Sequence, residues 1–460
     1  MEILNFIGGE FVASDSKKSF SKKSPFDGSA LAQVTESDAM DVIKSLQAAK
    51  KVLPQVEALS VIERAKVLSD LADYLESKKS DIARLEALHQ GLPKSFVLKN
   101  SVEVAIAHLR ATSERLLQPL PSGFEVYATG IIGVITSWCL SLRLITERLA
   151  PAMAAGNVVI VKVSEHSPIT AVVLGEALKA VNAPAGWVQF IQGKADVAQI
   201  VAGHPSIRAV TAVGRNSTME AVAKAGLTQF KKLQLSAGAK NGAAVLSDFD
   251  YATRMPEVMR SFMIGQGQMC WNTSRLFLIE SFHKEFNEAL HAYMQTLEPL
   301  QSPDGESVWT PLISEERAQL LAERTSFGVS EHGKVIWGQQ KLDLPGNFVK
   351  PTWMLDLPNC SVMQQDELHA PLFLITSVKY QHEILKWANT SYLGHSAVLW
   401  GGAEKVQKVA TKLECAHVFE NSWMNGESNI IFGHKQSSFG NLEMDWKSSF
   451  YSDGKKLTGI

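Results

Sequence analysis

Between residues 130 and 235 the chain alternates short apolar runs with longer amphipathic segments, and this alternation constrains the fold more than any other feature. The apolar runs are too short for most helices and cover 131–135, 158–161, 187–191, 207–213 and 231–235. The segments between them have helical patterns and cover 143–155, 168–181, 195–202 and 216–225. Buried strands joined by helical crossovers predict an α/β fold with a doubly wound parallel sheet. Such sheets bind nucleotides at the carboxyl ends of their strands, although no GxGxxG fingerprint follows any of these runs.

The regions on either side of this alternation have different patterns. Residues 6–12 predict a hairpin, and a helical pattern extends from Asp38 to about Leu117, with a capping box formed by Ser60 and Glu63. A second alternating region runs from Ser236 to about Phe439 and includes a predicted strand at 373–378. The last residues, 446–460, are polar and strand-like, which favours pairing with a second edge, in this chain or in another subunit.

Composition excludes several classes of protein. With 460 residues, 45% hydrophobic and 20% charged, the chain is expected to be a soluble globular protein of several domains. A net charge of −2 argues against partners such as nucleic acid or an anionic membrane. The beginning of the sequence has no secretory pattern, and no window is apolar enough to predict a transmembrane helix. Four cysteines without CxxC, and no histidine pair at metal spacing, predict a reducing, cytoplasmic location and no zinc site.

One stretch, 264–275, contains a candidate nucleophile. Cys270 lies between a Gly-Gln pair and Arg275, and an apolar run follows. A thiol attacks as the thiolate, so a catalytic cysteine requires positive charge or backbone N–H groups nearby. Gly265 and Gly267 would let backbone approach a ligand closely. The alternative is that Cys270 is a buried cysteine behaving as a small hydrophobic residue.

Several short motifs occur together in a recognisable order and with near-gapless spacing. They are GVITSW at 133–138, KVSEHSP at 162–168, GAKN at 238–241, GQMC at 267–270, DELHAP at 366–371 and FGHK at 432–435. Over roughly residues 5–458 the chain resembles the aldehyde dehydrogenase superfamily, whose corresponding motifs are GVIxPWN, KPSExxP, GGKN, GQxC, EExFGP and FGGxK. The resemblance identifies Cys270 as the residue at the nucleophile position.

The resemblance implies a Rossmann-type nucleotide-binding domain, an α/β catalytic domain and a small β oligomerisation domain. The expected boundaries are 1–107 and 129–237 for the nucleotide-binding domain, 238–445 for the catalytic domain, and 108–128 and 446–460 for oligomerisation strands. A homodimer or homotetramer is expected from the family and from the strand-like tail.

The resemblance also implies where a nicotinamide cofactor binds. Lys162 and Glu165 would bind the adenosine ribose and Glu367 the nicotinamide ribose, with Trp138 and Gly214 also against the cofactor. A carboxylate facing ribose hydroxyls would repel a 2′-phosphate, so NAD is favoured and NADP is the alternative. Lys162 and Glu165 could instead form a surface i,i+3 ion pair.

Arg215 stands where the family usually has serine, at a predicted helix start. Its guanidinium could bind the pyrophosphate or a 2′-phosphate of the cofactor. It could equally fill the groove and obstruct the cofactor. The sequence leaves both alternatives open.

Three departures from the family pattern fall on the chemistry. Cys139 replaces the asparagine whose amide helps bind the oxyanion, and losing one such donor costs on the order of 10²–10³ in rate. Ser236 occupies the position of the general-base glutamate, and a hydroxyl cannot accept a proton unaided at neutral pH. His369 replaces a phenylalanine near the nicotinamide and could supply a base or fill the aromatic site.

Two functions are consistent with these residues. The first is NAD(P)-dependent oxidation of an aldehyde through a thioester on Cys270, with slow release by water or transfer of the acyl group to a thiol such as coenzyme A. The GAKN variant is similar to methylmalonate-semialdehyde dehydrogenases, which also lack the glutamate. The second is a catalytically impaired scaffold that binds a nucleotide. If Cys139 takes the position of the family's asparagine, it faces the same small pocket as Cys270, and oxidation could join the two thiols. The alternative is that the two thiols stay separate.

Overall fold

A computed structural model describes residues 1–118, 124–246, 249–338, 342–426, 433–440, 443–445 and 447–456, with backbone alone for 124–126, 251–252 and 454–456. The strands are β1 (Glu2–Ile3), β2 (Asn5–Ile7), β3 (Glu10–Val12), β4 (Ser19–Lys23), β5 (Ala30–Thr35), β6 (Phe124–Ala128), β7 (Ile131–Ile135), β8 (Val158–Lys162), β9 (Val188–Ile191), β10 (Ala209–Val213), β11 (Lys232–Ser236), β12 (Asn241–Val245), β13 (Thr273–Ile279), β14 (Lys334–Trp337), β15 (Thr352–Leu355), β16 (Leu372–Val378), β17 (Leu393–Gly394), β18 (Ser396–Trp400), β19 (His417–Glu420), β20 (His434–Lys435), β21 (Ser438–Gly440) and β22 (Ser452–Lys456). The helices are α1 (Ala39–Glu57), α2 (Val61–Ser77), α3 (Lys79–Gln90), α4 (Lys94–Val97), α5 (Glu103–Leu116), α6 (Ser141–Ala154), α7 (Ile169–Ala180), α8 (Ala195–Gly203), α9 (Asn216–Leu227), α10 (Tyr251–Met263), α11 (His283–Thr296), α12 (Glu315–Ser330), α13 (Val362–Gln365), α14 (Gln381–Ala388) and α15 (Ala403–Ala410). A π-helical turn, Leu98–Val102, joins α4 to α5, and a 3-10 turn, Glu280–Phe282, precedes α11.

The predicted parallel sheet is confirmed and forms the centre of a larger sheet. Its order is β21-β11-β10-β7-β8-β9-β2-β3, and the five central strands, from β11 to β9, are parallel. Strands β7, β8 and β10 are buried along their whole length because helices cover both faces, which explains their unbroken apolar sequences. The predicted hairpin at 6–12 is β2-β3, which extends the sheet antiparallel to β9.

A second sheet contains the strand that follows the candidate nucleophile. Its order is β14-β15-β16-β13-β12-β18-β19, parallel except for β14. Strand β13 begins at Thr273 and lies between β12 and β16. The chain leaves the first sheet at Ser236 and enters the second at Asn241. Because this connection is short, the end of β11 lies close to the start of β12. The site described below includes Ala237 of this connection.

The helical region between Asp38 and Leu117 is also confirmed. The side-chain oxygen of Ser60 accepts from the backbone N–H of Glu63, and the Glu63 carboxylate accepts from the backbone N–H of Ser60. This reciprocal cap starts α2, whose apolar face packs on α5. The expected strand segment 108–128 is wrong over residues 108–116, which belong to α5. The i, i+4, i+7 spacing of Leu109, Ser113 and Leu116 buries one helical face there.

The end of the chain forms a separate two-stranded sheet. Strand β22 pairs antiparallel with β6, so part of the strand-like tail finds an edge within the same chain. The side chain of Asn157 links the two regions, since its Nδ2 donates to the Tyr451 carbonyl (2.8 Å) and its Oδ1 accepts from Gly130 N–H (2.9 Å). Trp446 and residues 457–460 of the predicted tail lie outside the described residues. Within the described chain, no helix is long and apolar enough to cross a membrane.

Candidate active site

A pocket of about 370 Å³ opens at the carboxyl ends of β7, β8 and β10. Its lining includes the segments that directly follow these strands, 136–139, 164–166 and 214–215, together with part of the nucleophile loop. Because parallel strands point their carboxyl ends to one edge, segments that lie far apart in sequence meet there.

The pocket collects nine of the ten site residues predicted from the sequence. They are Trp138, Cys139, Lys162, Glu165, Gly214, Arg215, Cys270, Glu367 and His369. Ser236 is the exception: it is 4% exposed at the end of β11 and is not part of the lining, whereas the next residue, Ala237, is. Its carbonyl accepts from Gly214 N–H at 3.1 Å, and it pairs with Ser438 of β21.

The nucleophile loop, residues 264–272, is held by amide side chains. Asn272 accepts from Met269 N–H (2.9 Å) and donates to the carbonyl of Ile264 (2.8 Å). The side chain of Asn241, at the start of β12, donates to the carbonyl of Cys270 at 2.7 Å. Gly267 has φ of +67°, and a Cβ there would lie 2.8 Å from the Ala370 carbonyl oxygen. The close approach that requires this glycine is therefore to the protein's own backbone.

Arg275 does not supply the positive charge that its spacing from Cys270 predicted. Its guanidinium donates to the carbonyls of Lys240 (2.9 Å), Trp387 (3.3 Å) and Ala388 (3.2 Å). The residue is buried, and burial lowers its pKa to about 10. These hydrogen bonds connect β13 to the segment before β12 and to the end of α14.

Arg143, which the sequence analysis does not single out, is a buried cation that acts on Cys270, as is Arg148 on the same helix. Arg143 lies in the first turn of α6, one helical turn after Cys139, and is 1% exposed. Its guanidinium carbon lies 5.1 Å from the ring centroid of Trp271, and its Nε donates to Glu147 at 2.7 Å. Its charge favours the thiolate of Cys270, although other effects on that thiol are larger.

The two pocket cysteines form a hydrogen-bonded thiol pair. The bond from Cys270 lowers the pKa of Cys139. The same bond, together with burial and the neighbouring charge of Cys139, raises the pKa of Cys270 well above its usual value. The Cys139 sulfur also lies 3.5 Å from the Ser137 hydroxyl. In this arrangement the first negative charge of the pair resides on Cys139 and opposes the ionisation of Cys270.

The side chains of Glu367 and His369 are in contact at the pocket wall. The Oε2 of Glu367 lies 2.8 Å from His369 Nε2, and Oε1 accepts from Ala239 N–H at 2.7 Å. Burial opposes ionisation of Glu367, but the charge and hydrogen bond of His369, with the Ala239 amide, hold its pKa below the usual value. Gly238 is required here, because a Cβ at that position would overlap the Glu367 carboxyl. His369 thus fixes a carboxylate, a role that neither sequence alternative included.

Lys162 and Glu165 lie at the opposite end of the pocket. Their side chains form an ion pair at 3.1 Å, with Lys162 only 5% exposed and Glu165 34% exposed. Burial opposes ionisation of Glu165, but the charge and hydrogen bond of Lys162, a backbone hydrogen bond and the neighbouring His166 together outweigh it, so that the pKa of Glu165 is lowered. The pair is therefore partly buried, with its carboxylate reaching the pocket.

Two arginines flank the middle of the pocket. Arg215 precedes α9 and is exposed, so its side chain does not fill the groove. Arg317, in the first turn of α12, lines the same pocket and was missed in the sequence because only the fold brings α12 to this edge. Burial, with the charge of Arg215 added, lowers the pKa of Arg317. Two positively charged guanidinium groups that line one pocket favour the binding of an anionic ligand between them.

Comparison with known proteins decides the family. The model of the aldehyde dehydrogenase family matches residues 11–457. The chain belongs to the aldehyde dehydrogenase family. As a member, it is an oxidoreductase of the NAD(P)-dependent aldehyde dehydrogenase type.

Individual relatives of this aldehyde dehydrogenase align over nearly the whole chain. The 2-aminomuconic semialdehyde dehydrogenase of Homo sapiens is 30% identical and covers 99% of this chain and 97% of its own length. The 2-hydroxymuconic semialdehyde dehydrogenase of Pseudomonas sp. (strain CF600) is 29% identical and covers 99% of both. An aldehyde dehydrogenase from Bacillus cereus, solved with NAD+, superposes with a TM-score of 0.90 at 24% identity, covering 99% of this chain and 96% of that one. The predicted fold is therefore confirmed.

Oxidation of this aldehyde dehydrogenase with hydrogen peroxide is expected to join Cys139 to Cys270. Each thiol loses a proton, the pair gives up two electrons, and peroxide is reduced to water. Both thiols line the same pocket, and each shifts the pKa of the other. Peptide mapping should find the cross-linked peptide, and thiol reductant should restore alkylation of Cys270. A Cys139→Ser control should lack the cross-link, whereas oxidation to sulfinic acid without any cross-link would contradict the prediction.

Proposed function

We propose that this protein oxidises an aldehyde with a nicotinamide cofactor through a thioester on Cys270. The observation that carries the proposal is a single pocket that holds Cys270, the Glu367 carboxylate and the Lys162–Glu165 pair at the carboxyl ends of one parallel sheet. When bound, the nicotinamide accepts the hydride that leaves the carbonyl carbon. The remaining steps belong to residues of the chain.

The pocket residues fit such a cofactor. Arg215 and Arg317 line one stretch of the pocket and would hold the pyrophosphate, whose charge relieves the repulsion between two guanidinium groups. Glu165 would accept hydrogen bonds from the adenosine ribose, and Glu367 from the nicotinamide ribose. Both carboxyl groups have a lowered pKa, which keeps them acceptors at neutral pH. Carboxylates at both riboses favour NAD, while the arginines leave NADP as the alternative.

Attack on the aldehyde requires a thiolate at Cys270. Within the thiol pair, passing the Cys270 proton to Cys139 produces that thiolate, and the buried Arg143 stabilises it. Cys139 then presents an S–H towards the oxyanion that develops on the carbonyl. Because an S–H is a weak donor, this arrangement supports acylation at a reduced rate.

Release of the acyl group is expected to be the slower half-reaction. Ser236 carries no base and is not part of the pocket lining. Nε2 of His369 lies against Glu367 and Nδ1 lies 3.5 Å from the Gln268 carbonyl oxygen, so both ring nitrogens already face acceptors of the protein. A thiol such as coenzyme A, which attacks the thioester directly, is therefore the alternative acceptor to water.

The substrate panel should begin with semialdehydes. Relatives that align over nearly the whole chain are named for semialdehydes of muconic acids, which carry a carboxyl group besides the aldehyde. Arg143 places positive charge near Cys270, and this charge would favour such an anionic substrate. Formation of NADH from a panel of semialdehydes and neutral aldehydes tests the proposal.

Replacing both Lys162 and Glu165 with alanine is expected to weaken binding of NAD by about tenfold or more, because charge-assisted hydrogen bonds to the ribose are lost. Calorimetry with NAD and NADP measures the effect. The surface pair Lys66 and Asp70, an i,i+4 pair at 2.6 Å, provides the matched control when both are changed to alanine. Equal affinity in the two double variants would place the ribose elsewhere.

A second function, a nucleotide-binding scaffold without turnover, is favoured by one observation. The hydrogen bond to Cys139 and burial hold the proton on Cys270, the residue that must lose it. Nucleotide binding without NADH from any aldehyde would support this alternative.

The domain boundaries expected from the sequence remain proposals, and so does the homodimer or homotetramer. Strand β21, from the range proposed for the catalytic domain, pairs with β11, from the range proposed for the nucleotide-binding domain.

A further inference from the structure

A second cleft, larger than the proposed active site, lies beside it. It has a volume of about 1170 Å³ and lies between β4, α12 and the segment 346–349. Glu165 and His166 line both cavities, so the two adjoin. The proposed oxidation of an aldehyde at Cys270 uses no residue that lines this larger cleft alone.

Lys22 is buried in the wall of this cleft. It lies on β4, where exposed residues alternate with less exposed ones, and it shares the inward face with Phe20. Its partner across the sheet is Ala32 of β5. The residue is only 5% exposed, yet it lines the cavity. Within the described part of the chain, no hydrogen bond or ion pair engages its amine.

The surroundings of Lys22 favour the uncharged form of its amine more than water does. Burial lowers the pKa of Lys22 from 10.5 to about 7. Its neighbours His89 and His166 are neutral as well, since burial lowers their pKa to about 3 and about 4. At neutral pH about half of the Lys22 side chains therefore carry a free lone pair.

The charged groups that line the cleft do not neutralise this amine. Glu165 is paired with Lys162, and Lys194 is paired with Glu36 at 3.2 Å. Other charged side chains of the lining, Lys23, Glu315 and Glu316, are exposed. Ser314 also lines the cleft, and its Oγ is buried without a hydrogen-bond partner in the described structure.

We propose that Lys22 is a carbonyl-capturing residue and that its amine condenses with apolar aldehydes in the larger cleft. The lone pair of Nζ attacks the carbonyl carbon, giving a carbinolamine whose oxygen can accept from the Ser314 hydroxyl. Loss of water then leaves an imine, with no change of oxidation state. The apolar side chains of Phe20, Ile313, Leu321 and Phe348 line the cleft and would hold the body of the aldehyde.

Reductive trapping tests this proposal without catalytic turnover. A Cys270→Ala variant is incubated with hexanal and cyanoborohydride, and peptide mapping measures labelling of each lysine. Lys22 should label about tenfold or more faster than the exposed Lys23 at pH 7.5, because burial lowers the pKa of Lys22 to about 7. The ratio of Lys22 to Lys23 should fall as pH rises towards 10, since the Lys22 amine is already neutral. Because both lysines react in the same sample, the ratio of their labelling does not depend on how the reactivity of cyanoborohydride changes with pH.

Matched variants complete the experiment. Lys22→Arg should abolish the rapid label and leave the labelling of Lys23 unchanged, whereas Lys23→Arg should leave the rapid label in place. A ratio at or below one, or a ratio independent of pH, would overturn the proposal. The readout uses the wild-type lysines and does not require a nicotinamide cofactor. Failure of the proposed oxidation and failure of this inference are therefore distinguishable.

Discussion

A Cys139→Asn variant is expected to release its initial burst of NADH about 10² times faster than the unmodified protein. The amide is a stronger hydrogen-bond donor to the developing oxyanion than a thiol, and one such donor accounts for factors of about 10²–10³ in rate. The substitution also removes the hydrogen bond and the neighbouring charge that raise the pKa of Cys270. Stopped-flow measurement of NADH formation, with the substrate that the semialdehyde panel provides, gives the burst rate.

The same variant should change the pH dependence of the nucleophile. Cys139 raises the pKa of Cys270, so its removal should move alkylation of Cys270 by iodoacetamide to lower pH. Cys139→Ser is the matched control, because it removes the thiol without supplying an amide. It should show most of the shift in the alkylation profile and less of the gain in burst rate. A burst no faster in the Asn variant than in the Ser variant would contradict the oxyanion role.

Replacing Ser236 with Glu is expected to raise the steady rate after the burst by about 10²–10⁴, the usual contribution of a general base. Thioester release needs an activated water, and Ser236 carries no group that accepts a proton at neutral pH. The amplitude of the burst should stay near one NADH per active subunit, because acylation precedes the step that the carboxylate assists. Steady-state and burst phases are separated in the same stopped-flow trace.

The control for this prediction is Ser236→Gln, which has nearly the same size and no basic carboxylate. Since Ser236 is buried at the end of β11, thermal unfolding of both variants should be measured beside the kinetics. Coenzyme A should accelerate the slow phase of the unmodified protein if a thiol is the natural acceptor. If the Cys139→Asn, Ser236→Glu and double variants all produce no NADH, the scaffold alternative is the better account.

Local sequence determined much of the fold. Buried strands such as β7 and β8 are recognisable because both of their faces are covered, which leaves an unbroken apolar run. The cap of α2 is recognisable because Ser60 and Glu63 satisfy each other's backbone amides within one turn. The segment 108–116 was assigned to strands on family resemblance, although its own helical periodicity places it in α5.

The tertiary structure decided how the site residues act. Sequence motifs named Cys139, Cys270, Glu367 and His369, but only the packing of α6, the nucleophile loop and the 366–371 segment shows a thiol pair and a fixed carboxylate. Proximity along the chain was misleading for Arg275, because β13 directs its guanidinium to the carbonyls of neighbouring segments. Arg143, which acts on Cys270, and Arg317, which lines the pocket, belong to helices that are far apart in sequence. Electrostatic interactions depend on distance in space, which a pattern of residues along one segment does not contain.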